Sequence, residues 1–299
     1  MLISEERLSR YSSAFLLPLR EILRHKEPMT FRNREGFVAY DFALRGKTWK
    51  KGVSAMLRVK NEEGKILYCL SSILDVFDEI VLVDNGSTDS TLELVKRFKR
   101  DRDHRGKISL FSYPFRIARC GDENRNAPED SVHTTAYYYN WSLSKCRYSY
   151  VFKVDADMVV VPNGARRMRT LFRGLSPFIP TIVNTPVQTT YRSLNGTWLL
   201  AKNEVYREPR LFPNTSAIHY CKAKSAERLI CGIPAKNSKW SEILFYELKD
   251  TAENEFLHWT NTNFDNDRKR QEWKNFNLVK SGFISEEDFV EISPSFLWS

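Results

Sequence analysis

Hydrophobic residues in the first half of the chain alternate between unbroken runs and helical spacing. Unbroken, mainly apolar runs occupy residues 52–59 (GVSAMLRV), 80–83 (IVLV), 107–115 (KISLFSYPF) and 148–157 (YSYVFKVDAD). Apolar residues recur at helical spacing from Ile66 to Phe77, and again from Leu92 to Phe98. Continuously apolar strands are buried on both faces, as parallel strands covered by helices are. The pattern therefore predicts an α/β fold with a mostly parallel central sheet.

Two signals refine the helices. Ser90, with Glu93 three residues later, has the sequence of a capping box and predicts a helix start. Residues 130–146 predict another helix before the fourth strand. Its aromatic stripe consists of Tyr137, Tyr138, Tyr139 and Trp141. Four such rings cannot all face one core, so we expect most of them to pack internally and the remainder to contact a ligand.

Beyond residue 180 the alternation ends, and Tyr, Trp, Thr and Pro become frequent. This composition predicts antiparallel strands and loops, followed by a mixed, charged C-terminal segment. We predict an N-terminal helical extension at 1–50, a main domain at 51–260 and a C-terminal extension at 261–299.

Charge narrows the choice of partners. The formal net charge is +9, but the densest basic stretches, 96–107 and 267–274, also contain acids. Such stretches are typical of solvated helix faces, so no nucleic-acid partner is expected, while an anionic membrane surface or a phosphorylated substrate fits. The amphipathic segment 14–23 (AFLLPLREIL) predicts a helix packed on the domain, with a membrane surface as the alternative.

Apolar runs and cysteines indicate the compartment. No apolar run approaches the ~20 residues that a membrane span needs, and the N-terminus does not have the pattern of a signal peptide. The cysteines are Cys69, Cys120, Cys146, Cys221 and Cys231, without a CxxC pair. Dispersed cysteines are typical of reduced proteins, so we expect a cytoplasmic protein, with peripheral contact at the membrane face as an option.

Polar clusters follow three of the predicted strands. They are 58–63 (RVKNEE), 83–89 (VDNGSTD) and 154–158 (VDADM). The carboxyl ends of parallel strands share one sheet edge, where open α/β sheets bind ligands. The convergence of three clusters is the strongest functional indication in the sequence.

The second cluster has two interpretations. Asp84 can accept hydrogen bonds from a ribose hydroxyl or a base N–H. Asn85-Gly86 supplies a turn with positive φ, and Ser87-Thr88 precede a helix whose amides favour anions. The alternative is a well-made turn in which Asp84 or Ser87 only caps the backbone.

The third cluster also has two interpretations. If the strand continues through Asp157, its side chain and that of Asp155 point to the same side. Two carboxylates so close repel, so one should be protonated or a cation such as Mg²⁺ or Mn²⁺ should lie beside them. Such an ion can neutralise a diphosphate leaving group. The alternative is a solvated turn.

With all three clusters in place, the chain resembles the nucleotide-diphospho-sugar glycosyltransferases of the GT-A fold, and specifically the family 2 branch that opens with a pattern like M-I-V-K-N-E-E. The resemblance covers roughly residues 52–163 well, through the stretches 56–98 and 137–160, and covers 205–220 and 256–275 more weakly. It implies a Rossmann-like three-layer sandwich with a nucleotide-binding half at 51–163 and an acceptor half at 164–260. It also implies metal-dependent, inverting transfer of a sugar from a nucleotide-diphosphate donor to a glycan, glycolipid or glycoprotein.

The resemblance assigns roles to individual residues. The implied donor-binding residues are Arg58, Lys60, Asn61, Glu62, Asp84, Asn85, Asn140 and Asp155. Asp157 would ligate Mn²⁺ or Mg²⁺ directly, and Asp155 would contact the ribose or, through water, the metal. A downstream histidine often completes such a site, and His219 and His258 are placed for it, with a structural role as the alternative for each.

The chain departs from the branch at three places. His219-Tyr220 stands where the branch commonly has His-Glu, and Tyr139-Asn140 where it has Arg-Asn. The first departure leaves the catalytic base open. Inversion needs a carboxylate near the acceptor hydroxyl, and Glu204 and Glu208 are the candidates. Residues 117–135 are longer than the branch leads us to expect and predict a lid or an acceptor loop.

Other classes of function compete with this one. A haloacid-dehalogenase-like phosphatase would use Asp155 as nucleophile and Asp157 as general acid, but it expects this motif on the first strand and leaves 83–89 unexplained. A basic, noncatalytic nucleic-acid-binding module is another alternative. A nucleotidyltransferase fits less well, since no Gly-rich phosphate loop occurs near the first strand. The sequence indicates neither the sugar, the acceptor nor the oligomeric state.

Overall fold

The structure is a computed structural model that describes residues 28–44, 50–176, 179–251, 255–264 and 266–298. Most of the predicted N-terminal extension, including segment 14–23, lies outside the described residues. The part that is described, 28–44, forms a two-stranded hairpin and a short 3₁₀ helix at Val38–Tyr40 rather than an α-helix.

The described chain contains both strands and helices along its whole length. The strands are β1 (Met29–Phe31), β2 (Phe42–Leu44), β3 (Lys50–Val59), β4 (Glu79–Asp84), β5 (Ile108–Ser112), β6 (Tyr148–Asp155), β7 (Met158–Val160), β8 (Thr181–Arg192), β9 (Trp198–Pro213), β10 (Ile218–Lys222), β11 (Glu227–Cys231), β12 (Lys236–Lys239), β13 (Phe245–Asp250) and β14 (Phe289–Ile292). The α-helices are α1 (Ile66–Ile73), α2 (Thr91–Arg102), α3 (Asp122–Asn126), α4 (Thr135–Leu143), α5 (Gly164–Arg173) and α6 (Asp267–Lys280). A second 3₁₀ helix occupies Pro294–Trp298.

A ten-stranded sheet organises the protein, in the order β5-β4-β3-β6-β9-β8-β13-β7, with β12 on β8 and β14 on β9. Strands β5, β4, β3 and β6 are parallel. From β9 onward the sheet is mixed, because β9 is antiparallel to both β6 and β8 while β13 is parallel to β8. The predicted α/β fold is confirmed, and its parallel part is the first half of the chain.

The parallel strands are buried on both faces, which explains their unbroken apolar sequence. Leu57 and Leu82 pack toward one face, with Leu70 of α1. Met56 and Val81 point to the opposite face, toward α4. This alternation produces two cores, one on each side of the same strands.

Helix α4 is covered on more sides than its own sequence could show. Tyr137, Tyr138 and Trp141 are all buried. Tyr137 packs edge-on against Phe31 and Phe42 of the β1–β2 hairpin. A remote hairpin therefore supplies the second core face that the aromatic stripe requires.

The start of α2 is where the sequence predicts it, but the cap differs. Ser90 makes no side-chain cap hydrogen bond. Instead the Asp89 carboxylate accepts the Thr91 N–H at 2.9 Å, and the Ser90 N–H donates to Glu63 at 2.9 Å. The capping-box prediction is wrong because a neighbouring loop satisfies the helix terminus.

The described helices also include none that is both long and apolar enough to cross a membrane. All five cysteines are unpaired in the structure.

Candidate ligand site at the carboxyl ends of the parallel strands

The carboxyl ends of β3, β4 and β6 lie side by side, which confirms the predicted convergence. Arg58 is in register with Asp155 on one side and with Val83 on the other, and Val59 is in register with Asp84. All three polar clusters therefore share one sheet edge. Because open α/β sheets bind ligands beyond this edge, the candidate site is here.

The loops after β3 and β4 are joined by hydrogen bonds. The Asn61 Oδ1 atom accepts the Thr88 N–H at 2.8 Å, and the Ser87 Oγ atom accepts the Asn61 N–H at 3.0 Å. The Glu62 N–H donates to Thr91 Oγ1 at 2.7 Å. Asn61 has a φ of 55°, in the left-handed region that asparagine tolerates. Each loop thus supplies polar partners that the backbone of the other needs, which explains why the two motifs occur together.

Asp84 and Asn85 hold the turn after β4. The buried Asp84 carboxylate accepts two backbone N–H groups of its own turn, at 3.1 and 3.3 Å. Asn85 donates to the carbonyl oxygens of Tyr113 and Phe115 at 2.8 and 2.7 Å. Lys60 is exposed beside this turn. The turn interpretation therefore holds for the two buried residues, and nucleotide contact stays a prediction for all three.

Asp155 ends β6 between two guanidinium groups. Its Oδ1 atom accepts from Arg58 Nη2 at 3.0 Å, and its Oδ2 atom accepts from Arg210 Nη1 at 2.8 Å. Arg58 also lies over the Tyr139 ring, 3.3 Å from the centroid. Burial alone would raise the pKa of Asp155, but the surrounding cations, Lys153 first, hold that pKa well below its usual range. Asp155 is therefore a carboxylate with both oxygens engaged.

Asp155 belongs to a larger set of charges that we call the basic cluster. The basic cluster consists of Arg58, Lys153, Arg210 and Arg268 with the carboxylates of Asp155, Glu208 and Glu227. Glu208 accepts from Arg268 at 2.8 Å and from Lys153 at 3.2 Å. Burial would raise the pKa of Glu208, but these cations lower it to about 2. Four cations against three carboxylates give a net positive charge, which suits an anionic ligand.

Asp157 does not lie on the strand. Strand β6 ends at Asp155, and Asp157 lies in the turn before β7. Its Oδ2 atom is 3.2 Å from Lys249 Nζ. Burial raises the pKa of Asp157 above its ordinary value, and Lys249 opposes that rise. The strand does not continue through Asp157, so the geometric argument for two adjacent, like-facing carboxylates no longer applies.

Lys249 is the centre of a second set of charges, the acidic cluster. The acidic cluster consists of Glu62, Asp157, Glu247, Asp250, Glu255 and Glu272 with the ammonium groups of Lys65, Lys249 and Lys269. The Lys249 Nζ atom is 3.0 Å from Glu247 and 3.1 Å from Glu255. Six acidic side chains against three cations give this cluster an excess of acidic groups.

The two candidate histidines have different surroundings. Desolvation by the surrounding protein, followed by repulsion from Lys249 and Lys269, lowers the pKa of His258 to about 4, so its ring is neutral. The His219 ring packs against Phe31, with centroids 6.1 Å apart, and burial lowers the pKa of His219. It lines a cavity of about 390 Å³ beside the β1–β2 hairpin.

The predicted metal ligands do not form a metal site in this structure. The predicted set was Asp155, Asp157, His219 and His258. Within the described ranges, no three His, Cys, Asp or Glu side chains are grouped to hold an ion. Both Asp155 oxygens are bound by guanidinium groups, and Asp157 faces an ammonium group. Mg²⁺ and Mn²⁺ need free oxygen ligands, so this donor set does not fit them.

Asn140 joins α4 to β10. Its Nδ2 atom donates to the Tyr220 carbonyl oxygen at 2.7 Å, and its Oδ1 atom accepts the Tyr220 N–H at 2.8 Å. Asn140 is 1% exposed. Both ends of the amide are used within the protein, and donor contact stays a prediction.

The long segment 117–135 lies next to His258. It contains α3, and the Cys120 N–H donates to the His258 carbonyl oxygen at 2.8 Å. The Gly121 N–H donates to the Ser225 carbonyl oxygen at 2.7 Å. This segment is thus placed to border the site, although a lid or acceptor role is still a prediction.

Neither candidate base has the surroundings that the role requires. Glu204 is buried, and its Oε2 atom accepts from Tyr191 Oη and from Asn275 Nδ2, both at 2.8 Å. Glu208 is held as a carboxylate by several cations, which makes it a weak proton acceptor. A general base must reach the acceptor hydroxyl and bind its proton, so the base assignment stays open.

The surroundings of Glu204 predict a pH-dependent stability. Burial, followed by the nearby Glu272 carboxylate, raises the pKa of Glu204 from 4.5 to about 7. Since the folded state then binds this proton more tightly than the unfolded state, the contribution of Glu204 to stability is fully present below about pH 4.5 and is lost as pH rises through about 7. The loss is on the order of 3 kcal/mol. Urea unfolding across this range should show a shallower decline for Glu204→Gln than for the exposed control Glu93→Gln, and equal slopes would contradict the assignment.

Two central residues were not named as site residues from the sequence. Arg210 stands in the R-L-F segment. The resemblance covers this segment, although weakly, and could have indicated Arg210 as a site residue. Lys249 lies on β13, in a stretch that no motif covers. Its contact with Asp157 spans 92 positions and depends on the order of strands in the mixed half.

The fold and the site define an α/β protein whose sheet edge suits an anionic ligand. Comparison with known proteins adds the families that it is similar to. Residues 54–118 match the sequence model of the family described as glycosyl transferase family 2. An uncharacterized glycosyltransferase of Rickettsia typhi is 39% identical over 46 residues, which is 15% of this chain and 16% of that protein. The chain thus matches less than a fifth of this curated relative. The resemblance to family 2 is confirmed over the segment that carries the first two clusters.

Several solved structures are also similar to the chain. A mannosyltransferase from Pyrobaculum calidifontis, in complex with GDP-Man and Mn²⁺, has a TM-score of 0.33 and 19% identity over 62% of this chain and 46% of its own. Residues 1–349 of TarS from S. aureus have a TM-score of 0.39 and 13% identity, with 77% and 70% covered. Glucosyl-3-phosphoglycerate synthase from Mycobacterium tuberculosis, with Mg²⁺ and UDP, has a TM-score of 0.29 and 21% identity, with 48% and 44% covered.

The family match and the architecture agree with each other. The matched segment runs from β3 to just beyond β5, which is the parallel part of the sheet with its two joined loops. An α/β fold with this mixed sheet is consistent with the GT-A fold that the sequence predicted.

Proposed function

We propose that the protein is a glycosyltransferase that moves a sugar from a nucleotide-diphosphate donor to a hydroxyl group of a glycan, glycolipid or glycoprotein. The observation that carries the proposal is the sheet edge itself. There the family 2 segment and the basic cluster meet, because Arg58 at the end of β3 contacts Asp155 at the end of β6.

The chemistry of a nucleotide diphosphate suits this edge. The joined loops after β3 and β4 present Lys60 and the turn of Asp84 to solvent at the sheet edge, where a nucleoside would bind. The net positive basic cluster lies next to them and offers guanidinium groups, which bind phosphate oxygens in a forked geometry. As the bond from the anomeric carbon to the diphosphate breaks, these fixed charges would stabilise the developing negative charge.

Inversion is the stereochemical part of the proposal. The acceptor hydroxyl would attack the anomeric carbon from the face opposite the diphosphate, and its proton would pass to a base. Because Glu204 is enclosed and Glu208 is neutralised by cations, the proposal assigns this step to neither. The proposal assigns these steps to side chains, since Asp155 and Asp157, the candidate metal ligands, contact side-chain cations.

The cellular location of the protein is a further part of the proposal. Five unpaired cysteines favour a reducing, cytoplasmic environment. The positive net charge would allow peripheral contact with an anionic membrane surface that carries a glycolipid acceptor.

The competing functions have less support. A dehalogenase-like phosphatase needs a free carboxylate oxygen on Asp155 for attack, whereas both oxygens are engaged by guanidinium groups. It also needs the motif on the first strand of the core, whereas β6 follows three strands of the same parallel sheet.

Asp155→Asn tests the proposed donor site. A panel of nucleotide sugars should contain at least one that raises the melting temperature of the wild type and donates radiolabelled sugar. Asp155→Asn removes the charge that positions Arg58 and Arg210, so the affinity for that donor should fall by about tenfold or more.

Asp101→Asn is the matched control, since Asp101 is exposed in the last turn of α2, at the opposite end of that helix from the turn at 83–89. This variant should bind the donor as the wild type does. If no nucleotide sugar stabilises the wild type, or if salt-sensitive nucleic-acid binding survives Asp155→Asn, the proposed function is wrong.

A further inference from the structure

A lysine ammonium group lies where the D-x-D motif leads one to expect a metal ion. The Lys249 Nζ atom is 3.2 Å from Asp157 Oδ2, and the Lys249 side chain is 5% exposed. An ion bound to that oxygen at about 2.1 Å would lie within about 5 Å of the ammonium group. Two like charges so close in a buried site repel strongly.

Lys249 cannot easily leave this place. It contacts Glu247, Glu255 and Glu272 at 3.0, 3.1 and 3.8 Å, and all three side chains are less than a tenth exposed. If the ammonium group swung out, these carboxylates would lose a buried partner, which is strongly destabilising.

The backbone fixes the same arrangement. The Leu248 N–H donates to the Asp157 carbonyl oxygen at 2.7 Å. Strand β13 lies between β8 and β7, with Lys249 in register with Tyr191. The residue next to Lys249 is thus bound to the turn that carries Asp157, so lysine and carboxylate are held together by the sheet.

The other acid of the motif is not free either. Asp155 is held by Arg58 and Arg210, and the basic cluster around it already contains four side-chain cations. A divalent ion would place a positive charge beside the motif and would neutralise a diphosphate. Lys249 supplies the first of these charges, and the basic cluster can supply the second.

We propose that Lys249 takes the place of the divalent ion at Asp157, and that side-chain cations of the basic cluster, without a metal, hold the diphosphate of the donor. The part concerning the diphosphate rests on the proposed function. The part concerning Lys249 does not, because it can be tested with the metal alone.

The first experiment measures binding of UDP and GDP to the full chain by calorimetry, in EDTA and in MnCl₂. We expect the nucleotide that binds to have the same affinity in both, and Asp157→Asn to leave that affinity nearly unchanged. A gain of about tenfold or more with Mn²⁺, abolished in Asp157→Asn, would overturn the proposal, because it is the behaviour of a metal ligand.

The second experiment needs no nucleotide. Mn²⁺ is titrated into the wild type, into Lys249→Met and into the control Lys236→Met, an exposed position on β12, with free Mn²⁺ followed by EPR. We expect Mn²⁺ to bind at the cluster only in Lys249→Met, where carboxylates have lost their cation, and to raise that variant's melting temperature. Binding of Mn²⁺ to the wild type that Asp157→Asn abolishes would contradict the proposal.

The two experiments separate the two claims. If neither UDP nor GDP binds in either condition, other nucleotides of the panel replace them, and failure of all of them counts against the proposed function. The Mn²⁺ titration then still decides whether Lys249 takes the place of the divalent ion at Asp157. If Lys249→Met does not fold, the comparison of wild type with Asp157→Asn gives the decision.

Discussion

Arg210→Met is expected to lower the free energy of unfolding by about 3–5 kcal/mol and to abolish binding of the nucleotide donor. Arg210 is 1% exposed, and its guanidinium group contacts Asp155 at 2.8 Å and Glu208 at 3.3 Å. It also donates to Tyr206 Oη at 3.2 Å. Methionine fills similar space but leaves both carboxylates short of a buried partner, and such removal is far more costly than loss of a surface pair.

The matched control is Arg207→Met, three residues earlier on the same strand but exposed. It should change stability by less than about 0.5 kcal/mol. Arg210→Lys should recover part of the loss, since an ammonium group restores the charge but cannot contact both carboxylates as a planar fork does. Urea unfolding and donor calorimetry measure the two effects. Equal stability of Arg210→Met and Arg207→Met would show that the basic cluster does not depend on Arg210.

Features that depend on local sequence were predictable. The parallel strands β3, β4 and β6 were predicted near their true positions, because burial on both faces requires unbroken apolar runs. The shared sheet edge was predictable as well, since parallel strands bring their carboxyl ends together whatever their sequence. The family match covers this same part of the chain.

Features that depend on distant partners were not predictable. Asp157 was placed on a strand because its sequence continues an apolar run, but β6 ends earlier and the following turn bonds to β13. The pairing of Asp155 with Arg210 spans 55 positions, and that of Asp157 with Lys249 spans 92. Charges that meet across a sheet leave no periodic signal, so the sequence showed the acids of the motif without their cations.

The burial of the aromatic residues of α4 was not predictable either, because it depends on the distant β1–β2 hairpin. The aromatic residues of α4 were divided between core and ligand because a single helix face cannot bury them all. The Tyr137 hydroxyl donates to the carbonyl oxygen of Tyr40, 97 positions earlier. The remote hairpin therefore places Tyr137 in the core, and Tyr139 is the member of the stripe that stacks on Arg58.

Asn140→Leu is expected to lower the free energy of unfolding by about 2–5 kcal/mol. The Asn140 amide satisfies both the N–H and the carbonyl oxygen of Tyr220, and a leucine would leave these two buried backbone groups without partners. Because this contact joins β10 to α4, hydrogen exchange should rise first in the β10–β11 hairpin and much less in β3 and β4. The resemblance assigns Asn140 to the donor instead, and the two roles predict different results.

Asn140→Asp separates the structural role of this side chain from a role in donor binding. Its carboxylate can still accept the Tyr220 N–H but cannot donate to the Tyr220 carbonyl oxygen, so the structural role predicts lower stability with a donor affinity that is nearly unchanged in the folded fraction. Asn237→Asp, at an exposed position on β12, is the control for the added charge. A loss of donor affinity without loss of stability in Asn140→Asp would instead place this side chain at the nucleotide. The contacts on both ends of its amide favour the structural result, since an amide already bound at both ends has little capacity left for a ligand.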